Sequence, residues 1–264
     1  MDLTRLDPKT GRAWDLSDVR VQSRVIKMIS EGKPLFVIGS PPCTAFSSLQ
    51  NLNAKKRDPR VVQQEKAAGE RHMEFCMRIY RMQIDGKRFF IHEHPNTATS
   101  WKMASMVELL AAPGVDQAVV DMCQFGLTAE VGGQECPVQK RTKIVSNSRE
   151  VLKRVEVRCP NIGGEGARHV HAALLDGKAK RAQVYPRKFC QAICEGIAAQ
   201  KRLHAMGLEA RPLLSIEEME AAVDHLEDGE NPSDALHEED LRMAFDDMSG
   251  EPLDTGKVKE ARKE

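Results

Sequence analysis

A chain of 264 residues, 41% hydrophobic and 30% charged, has the composition of a water-soluble globular protein with enough apolar side chains for a sizeable core. It holds no apolar run of the roughly 18 residues that a membrane span needs, its opening MDLTRLDPKTGR lacks the apolar centre of a secretory signal, and aromatics at 5% argue against a stacking surface for single-stranded nucleic acid. Formal net charge is zero, and seven irregularly spaced cysteines make no disulfide framework, so an intracellular protein with reduced thiols is expected, nuclear if its source is eukaryotic.

The first clear element is Lys33-Pro34-Leu35-Phe36-Val37-Ile38-Gly39, a short apolar run closed by glycine and two prolines. It reads as a buried strand entering a tight loop. Asp58-Pro59 is a helix start, with Asp as cap and Pro at the first helical position. The helix is expected to run to about residue 85, where Asp85-Gly86 stops it, with Met73, Cys76, Ile79 and Tyr80 on one face. A second buried strand covers 88–92 and ends at Glu93-His94-Pro95. A helix over 103–112 and a third strand over 117–122 follow. Lys143-Ile144-Val145 makes a fourth strand after a loop containing Gly and Pro. Met77, Met82, Met103, Met106 and Met122 read as core filler. Cys190 and Cys194, four apart on a late helix, read as core-facing.

Strands alternating with helices imply βαβ units, hence a Rossmann-like, mostly parallel sheet in one α/β core over 1–206. In such folds the ligand site lies at the C-terminal ends of the strands. Two of these strands end at reactive groups, Cys43 and Glu93.

The rest of the chain differs in character. An acidic helical appendage is expected over 207–248. Ser215-Ile216-Glu217-Glu218 forms a capping box, Asn231-Pro232-Ser233 breaks the chain, and a second helix covers 234–248. Residues 249–264 are expected to be disordered. Residues 208–264 carry 18 acidic and 6 basic side chains, a net of −12, leaving 33 basic and 21 acidic before them, a net of +12. The basic body suggests a polyanionic partner such as nucleic acid. A tail of opposite sign either folds over that body or stays solvated.

The sharpest local pattern is Gly39-Ser40-Pro41-Pro42-Cys43-Thr44-Ala45-Phe46-Ser47. A thiol held at a strand end beside main-chain NH groups is a candidate nucleophile with a lowered pKa; the alternative is a structural cysteine at a rigid turn. Pro-Cys-x-x-Phe-Ser after an apolar strand resembles the nucleophile motif of the C5-cytosine DNA methyltransferases. Phe90-Ile91-His92-Glu93-His94-Pro95 resembles the strand and Glu-Asn-Val loop that carry that family's glutamate. Pro137-Val138-Gln139-Lys140-Arg141-Thr142-Lys143 is similar to the Gln-x-Arg-x-Arg motif, with Lys143 where the second Arg stands. Tyr185-Pro186 before Phe189-Cys190-Gln191-Ala192-Ile193-Cys194 looks like the closing helix. The order is the family's, with 50 residues from Cys43 to Glu93 and 48 from Glu93 to Arg141.

The resemblance implies a methyltransferase-like fold, S-adenosylmethionine as cofactor and DNA as partner. In this family the cysteine adds to C6 of a cytosine flipped out of the duplex. The glutamate stabilises charge at N3, the first arginine positions the base and the cysteine, and C5 then takes the methyl group. Carried over, Cys43 is the nucleophile, Glu93 the acid and Arg141 the positioning cation, with Ser47, Gln139 and Lys143 near the substrate. Lys55-Lys56-Arg57 stands where the family contacts the DNA backbone, or is a solvated charge run.

Departures accompany the likeness. The family's Phe-x-Gly-x-Gly loop, which cradles the methionine part of the cofactor, has no counterpart before Cys43, so no cofactor-binding residue is assigned. Asp2 or Asp15 falls nearest to a later acidic contact, against a simple exposed aspartate. Only about forty residues separate Ile144 from Tyr185, where the family inserts a large target-recognition domain. His94 replaces the usual Asn, and the Gly-Asn-Ser before the last helix is absent. Shortened cores of this layout are similar to those in polyproteins of retrotransposon-like mobile elements.

Three readings follow. The first is a DNA (cytosine-5)-methyltransferase-like enzyme. The second is a catalytically inactive derivative that binds nucleic acid or another partner. The third is a thiol enzyme pairing Cys43 with His92 or His94, which requires a ring nitrogen within hydrogen-bond reach of the sulfur. Separately, Cys159, His169 and His171 could form a zinc site with Cys136 or Cys123. The spacing matches no common finger and no Cys-x-x-Cys is present, so no metal is assigned.

Overall fold

A computed structural model describes residues 6–47, 57–161, 169–173 and 182–208. The acidic appendage and tail from residue 209 onward, Asp2, Lys55 and Lys56 lie outside the described residues. The elements in chain order are α1 (Val19–Gly32), β1 (Phe36–Gly39), α2 (Pro59–Asp85), β2 (Phe89–Pro95), α3 (Ala104–Leu110), β3 (Asp116–Asp121), β4 (Thr128–Val131), β5 (Gln134–Pro137), β6 (Arg141–Ser146), α4 (Arg149–Val155) and α5 (Arg187–Ala205). Within the span expected as one core they group into two compact units. One comprises the described residues of Met1–Asp121 and Lys140–Arg158, the other those of Met122–Gln139 and from Cys159 onward.

The first unit is mixed α/β. The Asp58 carboxylate accepts from the Arg60 N–H, and Pro59 opens α2, which ends at Gly86. The helix returns the chain so that β2 lies parallel to β1, Phe36 opposite Phe89 and Gly39 opposite His92. Met73, Cys76, Ile79 and Tyr80 are all buried, as their spacing predicts. They join Val25 and Ile29 of α1, Met106 and Leu109 of α3, Phe90 of β2 and Val145 of β6 in one apolar core. Alternation along β2 and β6 turns Ile91 and Ile144 to the opposite face, where α4, with Val151, Leu152 and Val155 buried, packs on β3 and β6.

The sheet order is β1-β2-β6-β3. It corrects the expectation of a mostly parallel sheet, because β6 runs antiparallel to both neighbours and only β1–β2 is parallel. The reason lies in the connection. Asp121, the last residue of β3, pairs with Arg141, the first of β6. The chain therefore re-enters at the end it left, and no crossover helix carries it back to the other end. Side chains add bonds at the inner strand. Asn147 accepts from the Phe90 N–H and donates to the Arg88 carbonyl, both at 2.9 Å, and the Ser146 hydroxyl donates to the Phe90 carbonyl. Gln83 of α2 donates to the carbonyls of Pro34 and Phe89, fixing the starts of β1 and β2 together.

In the second unit β4 and β5 form a hairpin, with Val131 opposite Gln134 across Gly132-Gly133. Both glycines have positive φ, +60° and +80°, as a two-residue primed turn requires. The sequence reading treats this stretch only as a loop. After Pro186, α5 buries Phe189, Cys190, Ile193 and Cys194, and Phe125 meets Phe189 edge-on at 5.4 Å. Burial pushes both thiols up, the behaviour of core cysteines. Among the described residues no helix is long and apolar enough to cross a membrane.

Gly39 has a steric reason to be glycine. A Cβ there would lie 1.9 Å from the Tyr80 hydroxyl oxygen and 3.0 Å from its ring carbon. Gly39→Ala is expected to lower stability by about 1–3 kcal/mol in urea unfolding. Tyr80→Phe in the same chain should recover part of that loss, because it removes the closest atom. Additive effects of the two substitutions would contradict the clash.

Candidate functional site

Cys43 stands four residues past the end of β1, behind the buried Pro41 and half-buried itself. Its carbonyl accepts from the Phe46 N–H at 3.0 Å, opening a 3-10 turn over Thr44–Phe46 that Ser47 closes. Burial pushes the thiol pKa up, the Glu93 charge pushes it further, and Lys140 opposes them. This corrects the expectation of a lowered pKa. Main-chain NH groups at the turn do not offset removal from water beside a carboxylate. Glu93 and Lys140 are thus both in electrostatic reach of Cys43.

Lys140 is not among the residues singled out from sequence, although it sits inside the motif, between Gln139 and Arg141. Its backbone has φ +20°. Arg141 directs Nε to Asp121 Oδ1 at 2.8 Å, and Arg158 Nε reaches Asp121 Oδ2 at 3.1 Å. Asp121 is fully buried, and two guanidinium groups compensate its charge. Lys143 lies directly opposite His94, with its ammonium 4.8 Å from the Trp101 ring centroid. Glu93 lies opposite Ile144, so the pleat directs Glu93 and Lys143 to opposite faces of the sheet. Gln139 belongs to the second unit, where its carbonyl accepts from the Met122 N–H. Asp15 is exposed and accepts from the backbone N–H and hydroxyl of Ser17. Arg57 pairs with Glu65 at 2.6 Å.

On the face shared with Lys143, β2 presents two buried imidazoles. His92 Nδ1 bonds the Tyr80 hydroxyl at 3.0 Å, and the rings of His92 and His94 stack at 5.6 Å. Trp101 meets both rings edge-on, and Phe46 meets His94 edge-on. His92 Nε2, both nitrogens of His94 and the Ser100 hydroxyl have no hydrogen-bond partner among the described residues. Neither histidine therefore hydrogen-bonds the Cys43 sulfur, which removes the thiol–imidazole reading. Burial lowers His92 to about 3 and His94 to about 4, so both rings are neutral at pH 7.

The family likeness implies S-adenosylmethionine, and the described residues do not fit its glycine cradle. Before β1, Gly11 sits in an isolated turn and Gly32 closes α1, neither in a loop that follows a strand. The space left by the missing Cβ of Gly39 is filled by Tyr80.

In the second unit, Cys123, Cys159, His169 and His171 converge, their four ligand atoms all within 4.8 Å of one another. The fold selects Cys123 over Cys136, which lies in β5. Searches against protein-family models, curated proteins and solved structures found no match to this chain.

Two measurements bear on these groups. Alkylation of Cys43 by iodoacetamide, followed by peptide mass spectrometry, should rise only at a pH above the ordinary thiol range. Glu93→Gln should move the rise to lower pH and Lys140→Gln to higher pH; identical profiles would refute the coupling. The histidines predict a stability loss in acid. Their folded pKa values lie below the unfolded value of 6.5, so their contribution is complete above pH 6.5 and is lost as pH falls toward 4 and then 3. Each ring contributes a slope of about 1.4 kcal/mol per pH unit in that window. The urea midpoint should fall accordingly, and His94→Phe should flatten the slope by one proton.

Proposed function

We propose that the first unit is a C5-cytosine DNA methyltransferase-like domain with a Rossmann-like ancestry, which takes an extrahelical cytosine of DNA at the edge where Cys43 and Glu93 meet. One observation carries the reading: adjacent parallel strands, β1 and β2, lead to Cys43 and Glu93, and the carboxylate charge acts on the thiol. The basic balance of residues 1–207 supports a DNA partner.

In this reading Cys43 Sγ adds to C6 of the base. The S–C6 bond forms as the C5–C6 double bond opens, the electron pair moves toward C5 and N3, and the thiol proton passes to water. Glu93 stabilises the charge at N3. Arg141, anchored by Asp121, orients the base, and Lys140 lowers the energy of the thiolate before attack. Ser47, which closes the turn after Cys43, keeps the supporting role that the family likeness implies; Lys143, on the opposite face from Glu93, and Gln139, in the second unit, receive no role here. Because the described residues lack the glycine cradle, no methyl-transfer step is assigned to them. The same observation favours a second reading, in which the domain binds DNA and forms no adduct.

A duplex with 2-pyrimidinone in place of one cytosine separates the two. The base lacks the 4-amino group, its C6 is more electrophilic, and addition needs no methyl donor. Wild-type protein should give a covalent band on a denaturing gel with the matching intact mass. Cys43→Ser should give none, and Glu93→Gln should slow the reaction on the order of 100-fold. Binding by folded wild type without an adduct would overturn the first reading in favour of the second.

A further inference from the structure

We propose that Cys123, Cys159, His169 and His171 hold one tetrahedral zinc ion, a structural site of the second unit. Cys159 Sγ lies 3.5 Å from His169 Nε2 and 3.5 Å from His171 Nε2, and the two Nε2 atoms are 2.9 Å apart. Cys123 Sγ completes the set within 4.8 Å. Zinc–sulfur bonds of about 2.3 Å and zinc–nitrogen bonds of about 2.0–2.1 Å give tetrahedral edges of roughly 3.6 Å for S···N, 3.3 Å for N···N and 3.8 Å for S···S. The two sulfur–nitrogen edges already have that length, and the remaining ones require shifts of a few tenths of an ångström to one ångström.

Hydrogen bonds alone are a poor account of this cluster. Each proton lies along one edge of a triangle, so in a closed set of three mutually close acceptors some lone pairs must face each other. A cation at the centre takes a lone pair from every vertex. Two thiolates with two imidazoles suit zinc, whereas magnesium and calcium call for oxygen ligands. Four protein ligands leave no open coordination position, so the site is structural and holds no metal-bound nucleophile.

The neighbouring chain explains the need. Residues 156–161 and 169–173 form neither helix nor strand. They are fixed by isolated bonds, among them the Ala172 N–H to the Pro137 carbonyl at 2.8 Å and the Asn161 side-chain amide to the His169 carbonyl. The ligands come from three separated segments: the 3-10 turn Met122–Phe125, Cys159 and the His169–His171 pair. One ion would close loops of 36 and 10 residues at a single point, stabilisation that an irregular segment cannot draw from a hydrogen-bonded ladder.

The test uses the full chain purified from zinc-supplemented medium. Elemental analysis should find one zinc per chain. Exchange for cobalt should give the visible bands of a tetrahedral site with thiolate-to-metal charge transfer. Cys123→Ser and Cys159→Ser should lose the metal, Cys136→Ser should keep it, and His171→Cys should keep it with a changed cobalt spectrum. Chelation should lower Tm. Folded wild type with no zinc above buffer level, a cobalt spectrum without thiolate charge transfer, or metal lost in Cys136→Ser would each overturn the proposal. The wild-type spectrum decides the matter even if the cysteine variants fail to fold. These readouts do not depend on whether Cys43 reacts with a base.

Discussion

A tyrosine hydroxyl occupies the place where residue 39 would otherwise carry its Cβ, and much of the first unit follows from that contact. Tyr80 projects from α2 beneath Gly39, the last residue of β1, and hydrogen-bonds His92 on β2. One side chain therefore touches both strands of the parallel pair and fixes the height of the helix against them. Its ring stacks on Phe90, and burial raises its pKa well above the usual phenol range, so it remains a neutral donor or acceptor. The loop that carries Cys43 starts from this fixed strand end. Its position is inherited from core packing, not set by the loop.

The pleat of β2 divides its chemistry. Glu93 leaves on one face, and its charge influences the half-buried Cys43 thiol. His92 and His94 leave on the other, where an apolar and aromatic enclosure keeps them neutral. Adjacent residues of one strand therefore meet different surroundings: a carboxylate that acts on the thiol, and two neutral rings whose neighbouring cation, Lys143, is held over the Trp101 ring. Ring nitrogens without partners among the described residues are destabilising for the fold.

The long helix and the two parallel strands are legible from sequence because local signals coincide there, although β1 is a partly exposed edge strand, with Ile38 turned outward, and not the buried strand expected. Asp58-Pro59 and Asp85-Gly86 bracket α2, and apolar runs ending in proline or glycine bracket β1 and β2. The direction of β6 is not legible, because Lys143-Ile144-Val145 reads the same in either sense and only the return at Arg141 opposite Asp121 decides it. The β4–β5 hairpin is concealed by its glutamates, since Glu130 and Glu135 leave little apolar alternation. Within the candidate site, Cys43 and Glu93 are legible from their motifs, although β2 runs on past Glu93 to Pro95 and Cys43 lies four residues beyond β1. Lys140 is not, because its effect on the thiol depends on strands that bring distant parts of the chain together. Nor is the choice of Cys123 over Cys136, 36 and 23 residues before Cys159, which only the fold separates.

Asp121 has a wider meaning for how such a chain can change. The carboxylate binds Arg141 and Arg158, and the Asp121 N–H donates to the Val157 carbonyl. These residues flank every point at which the chain leaves or re-enters the first unit. All of its cut ends are therefore gathered at one buried charge, and the one interruption, from Asp121 to Lys140, opens and closes over a short span. A segment inserted there adds little loop-closure entropy to the host. The host sheet can accept inserts of very different length, or exchange one for another, while its own strand order stays intact.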